Sequence, residues 1–357
     1  MEVIVVAEPS ALEECRNHLK GATVVALDCE GLHLGRLGTL SLVQLSVETP
    51  MGIVCFLFDV LKRSPHDPIV LFLKNVLEDE TITKVIHDCR QDSDALFHLL
   101  GIKLKKVHDT ECWHEALGNL QPLGLNQMLE AYAIKANQHR DSKVYSDSPD
   151  FWLQRPLTAQ MKEGAAGDVQ SLFELYRKQM ALASPHQKSQ GALLSCDFAE
   201  RLLTAEVETF PIHPSQMKFF IGKGGANVKD FEKRSKLVKV TSMTGPGQKG
   251  RDTPLFYGTR SAIETAKVLA QPFTRPAFTA MVSIHPDKMG VYIGRQGSNI
   301  KHLQDTTGAR FDSPYRDTTV VVTAHDQASL DTALAALEEY QKAPNPKTQQ
   351  NRNRNRK

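Results

Sequence analysis

The segment IHPSQMKFFIGKGGANVK, beginning at Ile212, returns 72 residues later as IHPDKMGVYIGRQGSNIK, beginning at Ile284. Both copies keep Ile-His-Pro, a methionine three residues after the proline, and then Ile-Gly-x-x-Gly-x-Asn-x-Lys. Similarity of that density fixes a structural period, so each copy must close one small domain of its own. The pattern within a copy predicts a strand, a helix, a glycine turn, a second helix, further strands and a final helix. The final helices are expected in SAIETAKVLA and SLDTALAALEEY.

Each copy places a Gly-x-x-Gly turn between two short helices: Gly222, Lys223, Gly224 and Gly225 in the first, Gly294, Arg295, Gln296 and Gly297 in the second. Glycine lets another backbone approach closely, and N–H groups at a helix start attract phosphate. Lys223 and Arg295 add positive charge inside the turn. Neither turn reads GxxxxGK[ST], which excludes a Walker-type nucleotide loop. On these residues, the span from about 206 to 343 resembles two tandem K-homology (KH) domains. The resemblance implies a loop that clamps about four nucleotides of single-stranded nucleic acid, beside an apolar groove for the bases. Ile221, Val228, Ile293 and Ile300 occupy the corresponding helices, where a plain core role is the competing reading.

The first part of the chain alternates strand-like runs (VIVVA, TVVALDCE, SLVQLSV, IVCFLFDV) with helical ones, including Pro68 to Leu77, and predicts a mixed α/β domain. In TVVALDCEG, Asp28 and Glu30 are two positions apart and share one face of a strand, able to present two carboxylates to one metal. KVIHDCRQDSDAL carries Asp92 onto the following helix, with Asp94 as a rival. WLQRPLTAQMKEGAAGDVQSLFELY carries Asp168 on a late helix beside Ala165 and Ala166. In order and spacing these three segments resemble the three motifs of the DEDD superfamily of 3'-5' exonucleases, in its ribonuclease D branch. Trp152 to Leu157 (W-x-x-R-P-L) is the most specific part, and Asp109-Thr110 matches a structural Asp-Thr. The resemblance covers about residues 10 to 180.

That resemblance implies a ribonuclease H-like α/β fold with a mixed central sheet. It also implies catalytic metal ligands at Asp28, Glu30, Asp92 and Asp168, with Asp92 preferred over Asp94 for its spacing from His87 and Gly101. Two Mg²⁺ or Mn²⁺ ions held by oxygen ligands would be the cofactors. One departure stands out. Four residues before Asp168 the tyrosine subclass has a tyrosine, and this chain has Gly164; five before, where the histidine subclass has its histidine, stands Glu163. Loss of the water-orienting group predicts an inactive or weakly active site, slower by about 10² to 10⁴. The alternative is a working metal-dependent 3'-5' exoribonuclease targeted by its KH domains.

Charge divides as the motifs do. From Arg201 onward there are 24 Lys and Arg against 14 Asp and Glu, a balance of +10, whereas the residues before it hold 19 against 27, a balance of −8. A basic second half favours a polyanion; the resemblance to ribonuclease D-like and KH proteins implies that this partner is single-stranded RNA, with DNA the other candidate. The six cysteines form no CxxC pair, which argues against structural zinc and a disulfide framework. No apolar run reaches the roughly 20 residues of a membrane span, and the first residues do not read as a signal peptide, so an intracellular protein, cytoplasmic or nuclear, is expected. The expected organisation is an exonuclease-like domain over 1–185, a linker over 186–205, two small α+β KH-type domains over 206–273 and 274–343, and a disordered basic tail over 344–357. The polar connection NQHRDSKVYSDSPD is expected to be a loop or lid. His87, Arg90 and Lys84 are expected in ordinary helix-end and surface roles, and Trp113 and Trp152 in the core.

Overall fold

The strand-like runs of the first sixty residues pair into one sheet. The computed structural model describes residues 1–138, 148, 150–244, 252–312 and 318–342. The chain divides into two compact units, one drawn mainly from Met1–Val207 and the other mainly from Glu208 onward. In the first, β1 (Glu2–Val6), β2 (Val24–Leu32), β3 (Thr39–Thr49), β4 (Gly52–Asp59), β5 (Thr83–Ile86) and β6 (Val107–Asp109) form a sheet of order β1-β4-β3-β2-β5-β6. Strand β3 pairs antiparallel with both β2 and β4, and β1, β5 and β6 join in parallel, which makes the sheet mixed. Leu40 through Val47 on β3 are all buried, because helices cover both faces of the sheet and strand alternation then disappears.

One face packs against α1 (Leu12–Leu19), α2 (Pro68–Leu77) and α3 (Arg90–Leu100), through Val25, Leu27 and Cys29 of β2. The other face, with Ala26, Leu42 and Leu57, packs against α5 (Leu125–Ala131), α6 (Ala159–Gln170) and α7 (Leu172–Leu182). Each fully buried Leu or Phe on these faces contributes on the order of 1.5–3 kcal/mol. A short α4 (Thr110–Ala116) is capped by Asp109, whose carboxylate accepts from the N–H groups of Glu111 and Cys112 and also of Cys89. Asp109 is thus structural, joining β6 to the turn that precedes α3.

Two expectations need correction. The linker placed over 186–205 is mostly a helix, α8 (Pro185–Glu200), capped by Ser184 and Gln187. Its small residues Gly191, Ser195 and Ala199 let it lie close: a Cβ on Gly191 would come within 2.8 Å of Trp113, and Ser93 Oγ donates to Ala199 O at 2.5 Å. Phe198 and Ala199 enter the core beside α3, so the polar composition of SPHQKSQG concealed an integral helix. Lys84, expected at the surface, is wholly buried on β5; its ammonium donates to Asp79 O at 2.6 Å, and burial lowers its pKa to about 8. Most of the polar connection before Asp150 and all of the tail over 344–357 lie outside the described residues.

The second unit holds most of the first repeat and all of the described residues of the second. The first runs β7 (Glu206–Thr209), α9 (Met217–Ile221), α10 (Ala226–Ser235), β8 (Lys239–Thr244), β9 (Asp252–Gly258) and α11 (Arg260–Ala270), with sheet order β7-β9-β8. The second runs β10 (Phe278–Ser283), α12 (Pro286–Ile293), α13 (Ser298–Thr307), β11 (Arg310–Asp312), β12 (Thr319–Ala324) and α14 (Gln327–Lys342), with order β10-β12-β11. Each has its own core, aromatic in the first (Phe210, Phe220, Phe231, Phe256) and mostly aliphatic in the second (Leu303, Val320, Val322, Leu337).

Candidate functional site

Period-two geometry on β2 sends Asp28 and Glu30 to the face that α6 covers. Just beyond, the register shifts between Glu30 and Gly31, and a Cβ on Gly31 would collide with Thr39 O at 1.9 Å, so the strand can turn there only with glycine. On α6, the small residues Ala165, Ala166 and Gly167 allow the helix to settle on the sheet and bring Asp168 down to it. One carboxylate oxygen each from Asp28, Glu30 and Asp168 lies within 4.8 Å of the others.

Asp92 stands in the first turn of α3, 5 % exposed, and its Oδ1 has no hydrogen-bond partner among the described residues. Its pKa is raised well above the usual carboxylate value, first by burial and then by the negative charge of Asp28. Burial and a like-charged neighbour both disfavour the ionised form there. Gln44, directly across from Asp28 in the β2–β3 register, is likewise wholly buried, with its carboxamide unpartnered among the described residues. Carboxylates with orphaned buried polar atoms beside them fit hard divalent cations such as Mg²⁺ or Mn²⁺. The rival Asp94 is committed elsewhere: Arg36 Nε and Nη2 donate to its Oδ1 at 2.9 and 2.6 Å, and Arg36 N donates to its Oδ2 at 2.7 Å.

The same Arg36 donates to Ala205 O at 2.8 Å and to Leu202 O, fastening the end of the α8 region against α3. Arg155, within W-x-x-R-P-L, grips Asp59 at the end of β4 through two bonds of 2.7 Å and adds Ser41 Oγ at 3.0 Å. That motif therefore anchors the segment before α6 to the sheet. Trp152 and Trp113 are core residues, His87 pairs with Thr110 Oγ1 at 2.8 Å, and Arg90 pairs with Asp88 while covering the Phe198 ring at 4.4 Å. Gly164 and Glu163 both lie on α6, Gly164 buried and without a side chain to offer. Asn137, which sequence reasoning missed, donates from Nδ2 to Asp168 Oδ1 at 2.9 Å and to Gly164 O at 3.3 Å.

In the repeats, Gly222 and Gly294 adopt φ of +73° and +70° with ψ of 174°, a region essentially closed to other residues. The N–H groups of Gly225 and Gly297 close their turns on Gly222 O and Gly294 O at 3.2 and 3.3 Å, and that of Ala226 bonds Lys223 O. These donors are therefore spent inside the turn rather than facing outward. Ile221 and Ile293 are 37 % and 40 % exposed beside the turns, whereas Val228 and Ile300 pack at the edges of the two cores. Ile221 and Ile293 are thus not core residues, and Val228 and Ile300 reach the cores only at their edges.

Comparison with known proteins agrees with this geometry. Residues 3–181 match the 3'-5' exonuclease family, and residues 207–271 and 279–339 each match the KH domain. Among curated proteins, the chain is 29% identical over 175 residues to the piRNA biogenesis protein EXD1 of Homo sapiens, covering 44% of this chain and 32% of that one. It is 31% identical over 125 residues to ribonuclease D of Pseudomonas paraeruginosa, covering 35% and 31%. These matches span about a third of the relatives' own length. Among solved structures, RNase D of Trypanosoma brucei superposes with a TM-score of 0.50 at 27% identity, covering 57% of this chain and 73% of that one. The chain belongs to the 3'-5' exonuclease family, related to ribonuclease D and EXD1, with two KH domains following the exonuclease domain in sequence.

Proposed function

We propose that this protein binds single-stranded RNA through its KH turns and holds divalent cations at Asp28, Glu30, Asp92 and Asp168, where it removes nucleotides from RNA 3' ends slowly. The observation that carries the reading is the acid cluster itself: three carboxylates within 4.8 Å, with Asp92 buried nearby and repelled by Asp28. Two cations bound there would stabilise the attacking and leaving oxygens of an in-line phosphodiester displacement. The protein's own part is to fix the four carboxylates on β2, α3 and α6, with Asp92 kept away from water by the surrounding core. Gly164 offers no hydroxyl or imidazole to orient a water, which supports a slow reaction, by about 10² to 10⁴ relative to a site with such a group. In the turns, the N–H groups of Lys223 and Gly224 and the charges of Lys223 and Arg295 are the groups suited to phosphate.

A specific observation also favours a second reading, an RNA-binding protein whose exonuclease domain does not cleave: the same absence of a side chain at Gly164. One experiment separates the two. Purified protein is incubated with 5'-labelled single-stranded RNA and Mg²⁺ or Mn²⁺ beside an Asp28→Ala, Glu30→Ala variant. A ladder that shortens from the 3' end and vanishes in the variant is expected. RNA bound with no ladder at any time sinks the catalytic half and leaves the binding protein.

A further inference from the structure

Asn137 lies in polar sequence 31 residues before Asp168, yet it is buried to 7 % exposure and its carboxamide rests on α6. We propose that Asn137 is a positioning residue for the cation site, whose carboxamide fixes the Asp168 carboxylate so that the acid cluster is assembled before a divalent cation arrives. The proposal rests on the reading of Asp28, Glu30, Asp92 and Asp168 as cation ligands.

Three observations converge on it. First, Asn137 Nδ2 reaches Asp168 Oδ1 at 2.9 Å and Gly164 O at 3.3 Å, so one amide group ties the carboxylate to the helix turn that carries it. Repulsion from two like charges favours turning Asp168 away from the cluster; a donor on one oxygen opposes that rotation. Second, the backbone of Asn137 is itself gripped from α5. Its N–H donates to Asn126 Oδ1 at 3.0 Å and its carbonyl accepts from Asn126 Nδ2 at 3.1 Å. This pairing of side chain to backbone in both directions holds the donor still. Third, the helix is shaped to receive it, since a Cβ on Gly167 would lie 2.6 Å from both Nδ2 and Oδ1 of Asn137. Glycine at 167 is therefore the seat of the carboxamide as well as part of the helix packing.

The chemistry of the donor matters too. A lysine or arginine in this place would bring a positive charge into the cluster and compete with the cation, whereas a neutral amide orients the carboxylate and leaves the site's negative charge intact.

The test is binding of Mn²⁺ to the full chain by titration calorimetry, alongside thermal unfolding in EDTA. Asn137→Ala and Gly167→Ala are compared with wild type and with Asp28→Ala, Glu30→Ala. Gly167→Ala keeps every acid and Asn137 itself, and only displaces the carboxamide. Both single variants are expected to bind Mn²⁺ about tenfold to a hundredfold more weakly, as for other groups that orient a metal ligand. If Asn137→Ala does not fold, Gly167→Ala alone decides between the two roles. Unchanged Mn²⁺ affinity in the variants, while Asp28→Ala, Glu30→Ala abolishes it, overturns the positioning role and leaves Asn137 a loop fastener that affects only unfolding. No Mn²⁺ binding by wild type overturns the cation-site reading itself, and this proposal with it.

Discussion

The two KH copies build the same turn over different foundations. In both, an asparagine after the turn donates from Nδ2 to a carbonyl three residues before the first glycine: Asn227 to Phe219 O at 2.7 Å, Asn299 to Val291 O at 2.6 Å. In both, a histidine ring nitrogen caps the first helical turn, accepting from Ser215 N and Asp287 N at 3.3 Å. The cores beneath diverge, a cluster of four buried phenylalanines against a mainly aliphatic set with one buried tyrosine and one buried phenylalanine, Tyr292 and Phe311. The lesson is where identity between copies is required. Backbone positions with forbidden φ/ψ and the side chains that clasp them admit one residue type, whereas a core admits any set of matching volume.

The sharpest way to break the equivalence is to load the turns with negative charge. Lys223→Asp with Gly224→Asp in one copy, and Arg295→Asp with Gln296→Asp in the other, should each weaken single-stranded RNA binding about tenfold at fixed salt, and together about a hundredfold or more. Fluorescence anisotropy with a labelled oligonucleotide reads it. Loss confined to one copy means that the other turn is structural only, and unchanged affinity in the double variant removes the KH turns from the binding site.

Next in size is the first glycine of each turn. A Cβ at Gly222 or Gly294 would sit 2.5 or 2.7 Å from Cγ of the clasping asparagine, on a backbone already outside the range of other residues. Gly222→Ala and Gly294→Ala should each cost about 1–3 kcal/mol locally, visible as lost amide-exchange protection in α10 and α13 respectively. Equal losses sharpen the comparison. A much smaller loss in one copy shows a turn able to relax.

What the sequence disclosed follows the same division between local and tertiary causes. The turns, Asp28 and Glu30 were legible because strand period and glycine chemistry are written in adjacent residues. Asp168 became a candidate only through its resemblance to a family motif, since a lone acid on a helix carries no local sign of a partner 140 residues earlier. Gln44 was readable in principle: a glutamine inside SLVQLSV shares its face with Leu42 and Ser46, and so had to be buried. The helix α8 also left a trace, Ser-Pro-x-Gln as an N-terminal cap and a small-residue row at Gly191, Ser195 and Ala199, which polar composition obscured. Asn137 left none, because its importance lies in contacts to Asn126 and Asp168 that no periodicity encodes. Lys84 misled for the converse reason, its charge arguing for the surface while Asp79 O met its ammonium inside.

The smallest effect lies at the third turn position, where the copies differ outright. Gly224 has φ of +61° and Gln296 has φ of +54°, the same left-handed conformation carried by different residues. A residue with a Cβ loses about 1–2 kcal/mol there, while glycine gives back roughly 0.5–1 kcal/mol through its more flexible unfolded chain. The two terms oppose each other, and strain is the larger. Gln296→Gly should therefore stabilise the second copy by about 0.5–1 kcal/mol, and Gly224→Gln should destabilise the first by a similar amount, each read as amide exchange in the helix that follows. If Gln296→Gly instead weakens the second copy, its glutamine side chain holds the turn through contacts that outweigh the strain, and the two turns are no longer the same device.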